Sequence, residues 1–115
     1  MTTTQFKTLR KRLGITQNAL AYALHRSEIT VKTWETPNGK EPPAYAWAYL
    51  NTQLDQHRQN VRRIVSEATE HNPHTITLGL YRQPDRIECM VNAQTMEAGA
   101  LLDYQGYTVN YVERK

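Results

Sequence analysis

Apolar residues recur every three or four positions over three short stretches at the start of the chain. Phe6, Leu9 and Leu13 fall on one face of a helix running from about Gln5 to Leu13. Thr4 is its expected N-cap, and Gly14 takes the position just past its end, where a left-handed backbone is favoured. Leu20, Ala23 and Leu24 supply the buried stripe of a second helix capped by Thr16, with Ala21 small enough for a close helix crossing. His25-Arg26 makes a turn. Ser27 then caps a third helix, Thr30 sits at its N3 position, and Val31 and Trp34 point inward from one face. Thr36-Pro37-Asn38-Gly39 is a turn cluster.

A longer pattern follows. Pro42 and Pro43 suit the first turn of a fourth helix, and no breaker intervenes before Asn72-Pro73. The spacing predicts about 27 helical residues, or ~40 Å at 1.5 Å per residue. Trp47, Leu50, Leu54, His57, Val61, Ile64 and Ala68 alternate by threes and fours, an a/d seam with one polar intruder. Trp34 and Trp47 are expected in the core, His57 at a partly exposed helix edge. The early part of this helix would close the core of the first three. Its later part needs a different surface to cover it.

Beyond Pro73 the period shortens to two. TITLGLYR (75–82) is β-branched and alternating, which predicts a strand. Gln83-Pro84-Asp85 predicts a turn and RIECMV (86–91) a second strand. Asn92 is the expected cap of a helix through MEAGALLDY, ended near Gly106, and YTVNYVE (107–113) a last strand. The fold class is therefore α+β. Residues 1–70 form an N-terminal unit of four to five helices that includes the long one, and residues 71–115 a small α+β unit. A small sheet with open edges is suited to pairing with a second copy of the chain.

Composition narrows the chemistry. No stretch approaches the ~18 to 20 apolar residues of a membrane span. The start, MTTTQFKTLRKRL, lacks the apolar core of a signal peptide. Cys89 is the only cysteine, so an internal disulfide is impossible and a reducing cytoplasm is the expected compartment. Cys89 reads as a small buried hydrophobe. In His71-Asn72-Pro73-His74 the proline spoils helical facing of the two imidazoles, and no third ligand is near, so no metal site is expected. There is no glycine-rich phosphate loop, no nucleophile elbow and no defensible pairing among the 11 carboxylates. Neither catalysis nor a cofactor is expected.

Charge separates the two units. Residues 1–41 carry Lys7, Arg10, Lys11, Arg12, Arg26, Lys32 and Lys40 against Glu28, Glu35 and Glu41, a net of +4. Residues 42–70 balance, and residues 71–115 come to −1. A basic N-terminal third is compatible with a polyanionic partner. Two short helices joined by a tight turn have a use consistent with that charge. One braces the other, which lies in the major groove of B-DNA.

Ile15-Thr16-Gln17, followed by Leu20-Ala21, Leu24, Ser27, Val31 and Trp34-Glu35, resembles the Cro/CI-type, or Xre, helix-turn-helix family. The likeness covers about residues 5–55. His25 stands where that family usually has glycine in a left-handed turn, and Arg26 replaces a usually apolar residue, so that it is free to reach phosphate. The overall layout is also similar to the YdiL-like and anti-CRISPR-associated (Aca-type) repressors of phages and plasmids, which join such a domain through a long helix to a small C-terminal dimerisation unit.

The exposed N-terminal half of the third helix then becomes the candidate reading face. Glu28 is suited to accept from a cytosine amino group, Ile29 to pack on a thymine methyl, and Lys32 to donate to guanine or to a phosphate, with Thr33 on the same face. Ile29 has no structural use facing water. Gln17, Arg26, Ser27, Asn38 and Lys40 are the candidate phosphate contacts. The resemblance implies that Arg10 and Glu35 form a structural ion pair between the first and third helices. The expected function is a sequence-specific repressor, homodimeric on an inverted repeat in double-stranded DNA, and by resemblance controlling its own phage or mobile-element operon, an anti-CRISPR operon being one candidate. An antitoxin that binds a toxin through residues 71–115 is the alternative, and an interaction module with a drifted reading face is a third. RNA stays open, because phosphate contacts discriminate weakly.

Overall fold

The computed structural model describes residues 2–114. Four helices come first: α1 (Thr3–Arg12), α2 (Gln17–Leu24), α3 (Glu28–Glu35) and α4 (Ala44–Thr69). They are followed by β1 (Thr75–Leu80), α5 (Arg86–Tyr104) and β2 (Thr108–Glu113). The described residues are helix-rich with one small sheet, an α+β arrangement. Among the described residues no helix is long and apolar enough to cross a membrane.

Local chemistry explains most boundaries. Thr16 accepts from the Ala19 N–H and Ser27 from the Thr30 N–H, each closing the open first turn of its helix. His25 adopts φ 54 and ψ 47, the left-handed conformation that ends α2. Gly14 does the same after α1, at φ 72. The first helix starts earlier than its sequence suggests. Thr2, not Thr4, is the cap: its hydroxyl accepts from the Gln5 N–H while Gln5 Oε1 accepts from the Thr2 N–H, a complete capping box. Pro43 takes the cap position of α4 without any side-chain hydrogen bond, so Ala44 is the first helical residue.

Phe6, Leu13, Ile15, Ala19, Leu20, Ala21, Val31, Trp34, Ala46 and Leu50 form the N-terminal core. On α2 the buried positions are Ala19, Leu20 and Ala21, whereas Ala23 and Leu24 are half-buried. Phe6 sits edge-on to both Trp34 (6.2 Å) and Trp47 (5.1 Å). Trp47 is half-buried at the rim of this cluster rather than inside it.

The second half departs from expectation at residues 86–91. They are helical, not a strand. Asp85 accepts from the Glu88 N–H while the Glu88 carboxylate accepts from the Asp85 N–H, a capping box that starts α5 seven residues earlier than Asn92 would. Asn92 caps nothing. It lies inside α5, where its amide accepts from the Tyr81 N–H and donates to the Tyr81 carbonyl, holding the exit of β1 against the helix. The sheet therefore has two strands, parallel, in register Thr75 to Thr108 through Leu80 to Glu113, with α5 as the crossover. Ile76, Leu78 and Leu102 make a second core, covered by Ile64, Val65 and Ala68 from the later turns of α4. At Gly99 a Cβ would run into the Tyr111 hydroxyl, so the bare helix backbone is what admits that ring.

Two further expectations fail. His57 is buried, 2% exposed, rather than at an open helix edge. Its Nε2 lies 3.2 Å from Glu97 Oε2, but the approach falls outside hydrogen-bond geometry and neither ring nitrogen has a hydrogen-bond partner. Cys89 is half-buried rather than enclosed, with Sγ 3.9 Å from the Pro84 carbonyl oxygen.

Candidate nucleic-acid interface

The geometry of α3 follows from 100° of rotation per residue. Val31, Trp34 and Glu35 are buried on one side. Glu28, Ile29 and Lys32 occupy the opposite arc and are exposed, with Thr33 half-buried at its margin. Ile29 is 76% exposed, the most solvated isoleucine in the chain. The Thr33 hydroxyl is committed to the Ile29 carbonyl at 2.9 Å, so it offers mainly its acceptor face outward. The Glu28 carboxylate accepts from Asn18 Nδ2 on α2 at 2.6 Å, which fixes one oxygen and leaves the other open.

What makes α3 a firm support is the pair behind it. Arg10 Nε donates to Glu35 Oε2 and Arg10 Nη2 to Glu35 Oε1 at 2.8 Å, while Nη1 donates to the Ile15 carbonyl at 2.8 Å. The fork is bidentate and nearly solvent-free, with side chains 7% and 3% exposed. Burial pushes the Glu35 carboxyl up, but its hydrogen bonds from Arg10 and Gln17, with the charges of Arg10 and Lys7, outweigh this and hold it below its ordinary value.

The candidate phosphate residues fall into two groups. Arg26, Ser27, Asn38 and Lys40 are all exposed around the ends of α3. Arg26 Nε donates to the Tyr45 hydroxyl at 2.9 Å and Nη1 to the His25 carbonyl at 3.2 Å, and the guanidinium lies 5.2 Å from the Tyr45 ring centroid, which leaves Nη2 for a phosphate. Ser27 is occupied as the cap. Asn38 is left-handed at φ 67, and Gly39 folds so tightly onto the Thr33 carbonyl that no side chain fits there. Gln17 differs from the rest. It is half-buried and its amide donates to Glu35 Oε1 at 3.0 Å, so only the helix start, not the side chain, faces outward.

Three exposed residues absent from the sequence reading border the same face. Asn18 and Tyr22 stand one turn apart on α2, and Arg86, the first residue of α5, reaches both. The pair on α2 had an available signal, polar and aromatic side chains at i and i+4 on a non-core face. Arg86 had none, being 68 residues from Asn18.

Protein-family models, curated proteins and solved structures were compared with the chain, and none matches. Among the described residues no group of three or more His, Cys, Asp or Glu side chains is placed to hold a metal ion.

Proposed function

We propose that the protein is a sequence-specific DNA-binding repressor that acts as a homodimer on an inverted-repeat operator. One observation carries the reading: α3 is braced from behind by a buried ion pair and presents Glu28, Ile29 and Lys32 on an outward arc whose apolar member, Ile29, is 76% exposed. An isoleucine in that position gains only by meeting an apolar group such as a thymine methyl, and a lysine beside it suits guanine or phosphate. Arg26, Lys40 and the backbone near Asn38 supply sequence-independent contacts on either side. Affinity then comes mainly from phosphate neutralisation.

The dimer reading rests on the C-terminal unit. Its two-stranded parallel sheet leaves both edges unpaired, and Tyr104 (92% exposed), Leu101 and Val112 are large apolar side chains without cover. Two α3 helices in successive major grooves must lie about 34 Å apart on one face of the duplex, and a second copy seated on this unit is the arrangement that would have to supply that spacing. Bound over a promoter, the dimer would exclude RNA polymerase. By resemblance the target is the promoter of its own operon, in the cytoplasm.

Selection of random duplexes on the purified protein tests the assignment. The parent enriches a palindrome, whereas Ile29→Asp and Lys32→Ala shift or abolish the enrichment. The same palindrome enriched equally by all three proteins would show that α3 does not read DNA. Capture of a toxin through the C-terminal unit, in a complex that keeps the operator, would favour the antitoxin reading.

A further inference from the structure

The first turn of α5 docks against the first turn of α2, and an arginine makes the joint. Arg86 Nε donates to Asn18 Oδ1 at 2.8 Å, and its guanidinium carbon lies 4.4 Å from the centroid of the Tyr22 ring. Asn18 Nδ2 in turn donates to Glu28 Oε1 at 2.6 Å. A continuous polar chain therefore crosses from the C-terminal unit to the first residue of α3.

Two properties of Arg86 carry the argument together. Its charge has no ion-pair partner among the described residues, a property it shares with Arg26 and Arg114. Arg10 has Glu35 and Arg12 has Glu97, but among the described residues Arg86 makes no ion pair, and its partners are a neutral amide and a phenol ring. Its geometry is also fixed. The stack on Tyr22 and the Nε bond to Asn18 hold the guanidinium plane, while no Nη hydrogen bond to protein is present and the residue is exposed. A neutral side chain would tether the two units as well. A planar fork with its rotamer entropy already lost and its outer N–H groups open is instead suited to a phosphate.

The location agrees. A helix lying in the major groove is flanked by two phosphate strands. Lys40 and Asn38 follow the C-terminal end of α3, whereas Arg86 sits beside the N-terminal turns of α2 and α3. We propose that Arg86 is a phosphate clamp of the duplex interface, so that the DNA-gripping surface is composite and the C-terminal unit completes it. This rests on the DNA-binding reading above.

The test uses full-length protein, an enriched palindromic duplex and a scrambled duplex of equal length, with binding followed by fluorescence anisotropy across a salt series. Arg86→Ala is expected to weaken both duplexes by a similar factor, roughly ten-fold, and to make the slope of log affinity against log salt shallower by about one per protomer. Arg86→Lys is expected to retain the parent slope. Circular dichroism checks that the alanine variant is folded, and the lysine variant reads the charge where the alanine variant is not. An unchanged slope in a folded Arg86→Ala would overturn the clamp. So would a loss confined to the palindrome, which would make Arg86 a positioning residue for Glu28. A parent protein without salt-dependent duplex binding overturns the DNA reading and the clamp together, whereas a parent that binds beside an unaffected Arg86→Ala overturns only the clamp.

Discussion

Removing the Glu35 carboxylate should be among the most damaging single changes in the N-terminal unit. Glu35 accepts both fork bonds of Arg10 and one from Gln17. Without it, a guanidinium 7% exposed keeps one neutral acceptor, the Ile15 carbonyl. Breaking a buried pair in this way costs roughly 3–5 kcal/mol, because the remaining charge is left in a medium that solvates it poorly. Against a total stability of roughly 5–15 kcal/mol, that loss corresponds to a melting temperature lower by ~10–25 °C. Replacing both partners by apolar residues of similar volume, Arg10→Met with Glu35→Leu, should cost far less than the two single changes added, since it removes the desolvation penalty along with the attraction. Denaturant unfolding followed by fluorescence of the adjacent, buried Trp34 reads all four corners of the cycle. A Glu35→Ala loss below ~1 kcal/mol, in the range of an exposed pair, would refute the claim that this pair braces α3.

Two further outcomes follow from the same structure. Gly14→Ala places a Cβ against the Cys89 carbonyl oxygen and 2.7 Å from the Ala93 Cβ at a residue with φ +72; the left-handed strain of about 1–2 kcal/mol and the overpacking of about 1–3 kcal/mol should combine, and near-parental stability in denaturant would show that α1 and α5 are not in this contact. Glu97 is held below its ordinary carboxyl value first by its hydrogen bond from Arg12, against burial and with help from His57, and Glu35 is also lowered, so both contribute stability that is complete above pH 4.5 and lost as pH falls through their lowered folded values. Glu97→Gln should therefore flatten the fall in melting temperature between neutral and acid pH, by an amount equivalent to less than ~1 kcal/mol because the Arg12 pair is partly solvated; a steeper fall in the variant would reverse the assigned sign.

The N-terminal unit was legible because its determinants are local. Thr16, Ser27 and Gly14 each act within a few residues, and apolar spacing marks α2, α3 and α4 as helices, although on α2 the buried positions are Ala19, Leu20 and Ala21 rather than the expected Leu20, Ala23 and Leu24. Residues 86–91 misled because Ile87, Cys89 and Val91 alternate as a strand does, while the deciding signal was the Asp85-x-x-Glu88 box. The parallel pairing of β1 with β2 depended on that same helix, since parallel strands need a crossover. The burial of His57 was not legible, because Glu97, on another element, supplies its neighbour. At the candidate interface, the exposed arc of α3 follows from helical spacing alone. The commitment of Gln17 to Glu35 and the arrival of Arg86 at Asn18 are set by tertiary contacts 18 and 68 residues apart, which no local pattern announces.

On the proposed function, α3 lies in the groove of a duplex gripped mainly through its phosphates, two copies to a site. Binding of the enriched palindrome, measured over a salt series together with the sedimentation of the complex, tests it most directly. Two protomers per duplex and a slope of log affinity against log salt of roughly −5 to −10 are expected. A slope near zero, or affinity undiminished by Ile29→Asp and Lys32→Ala together, would contradict it.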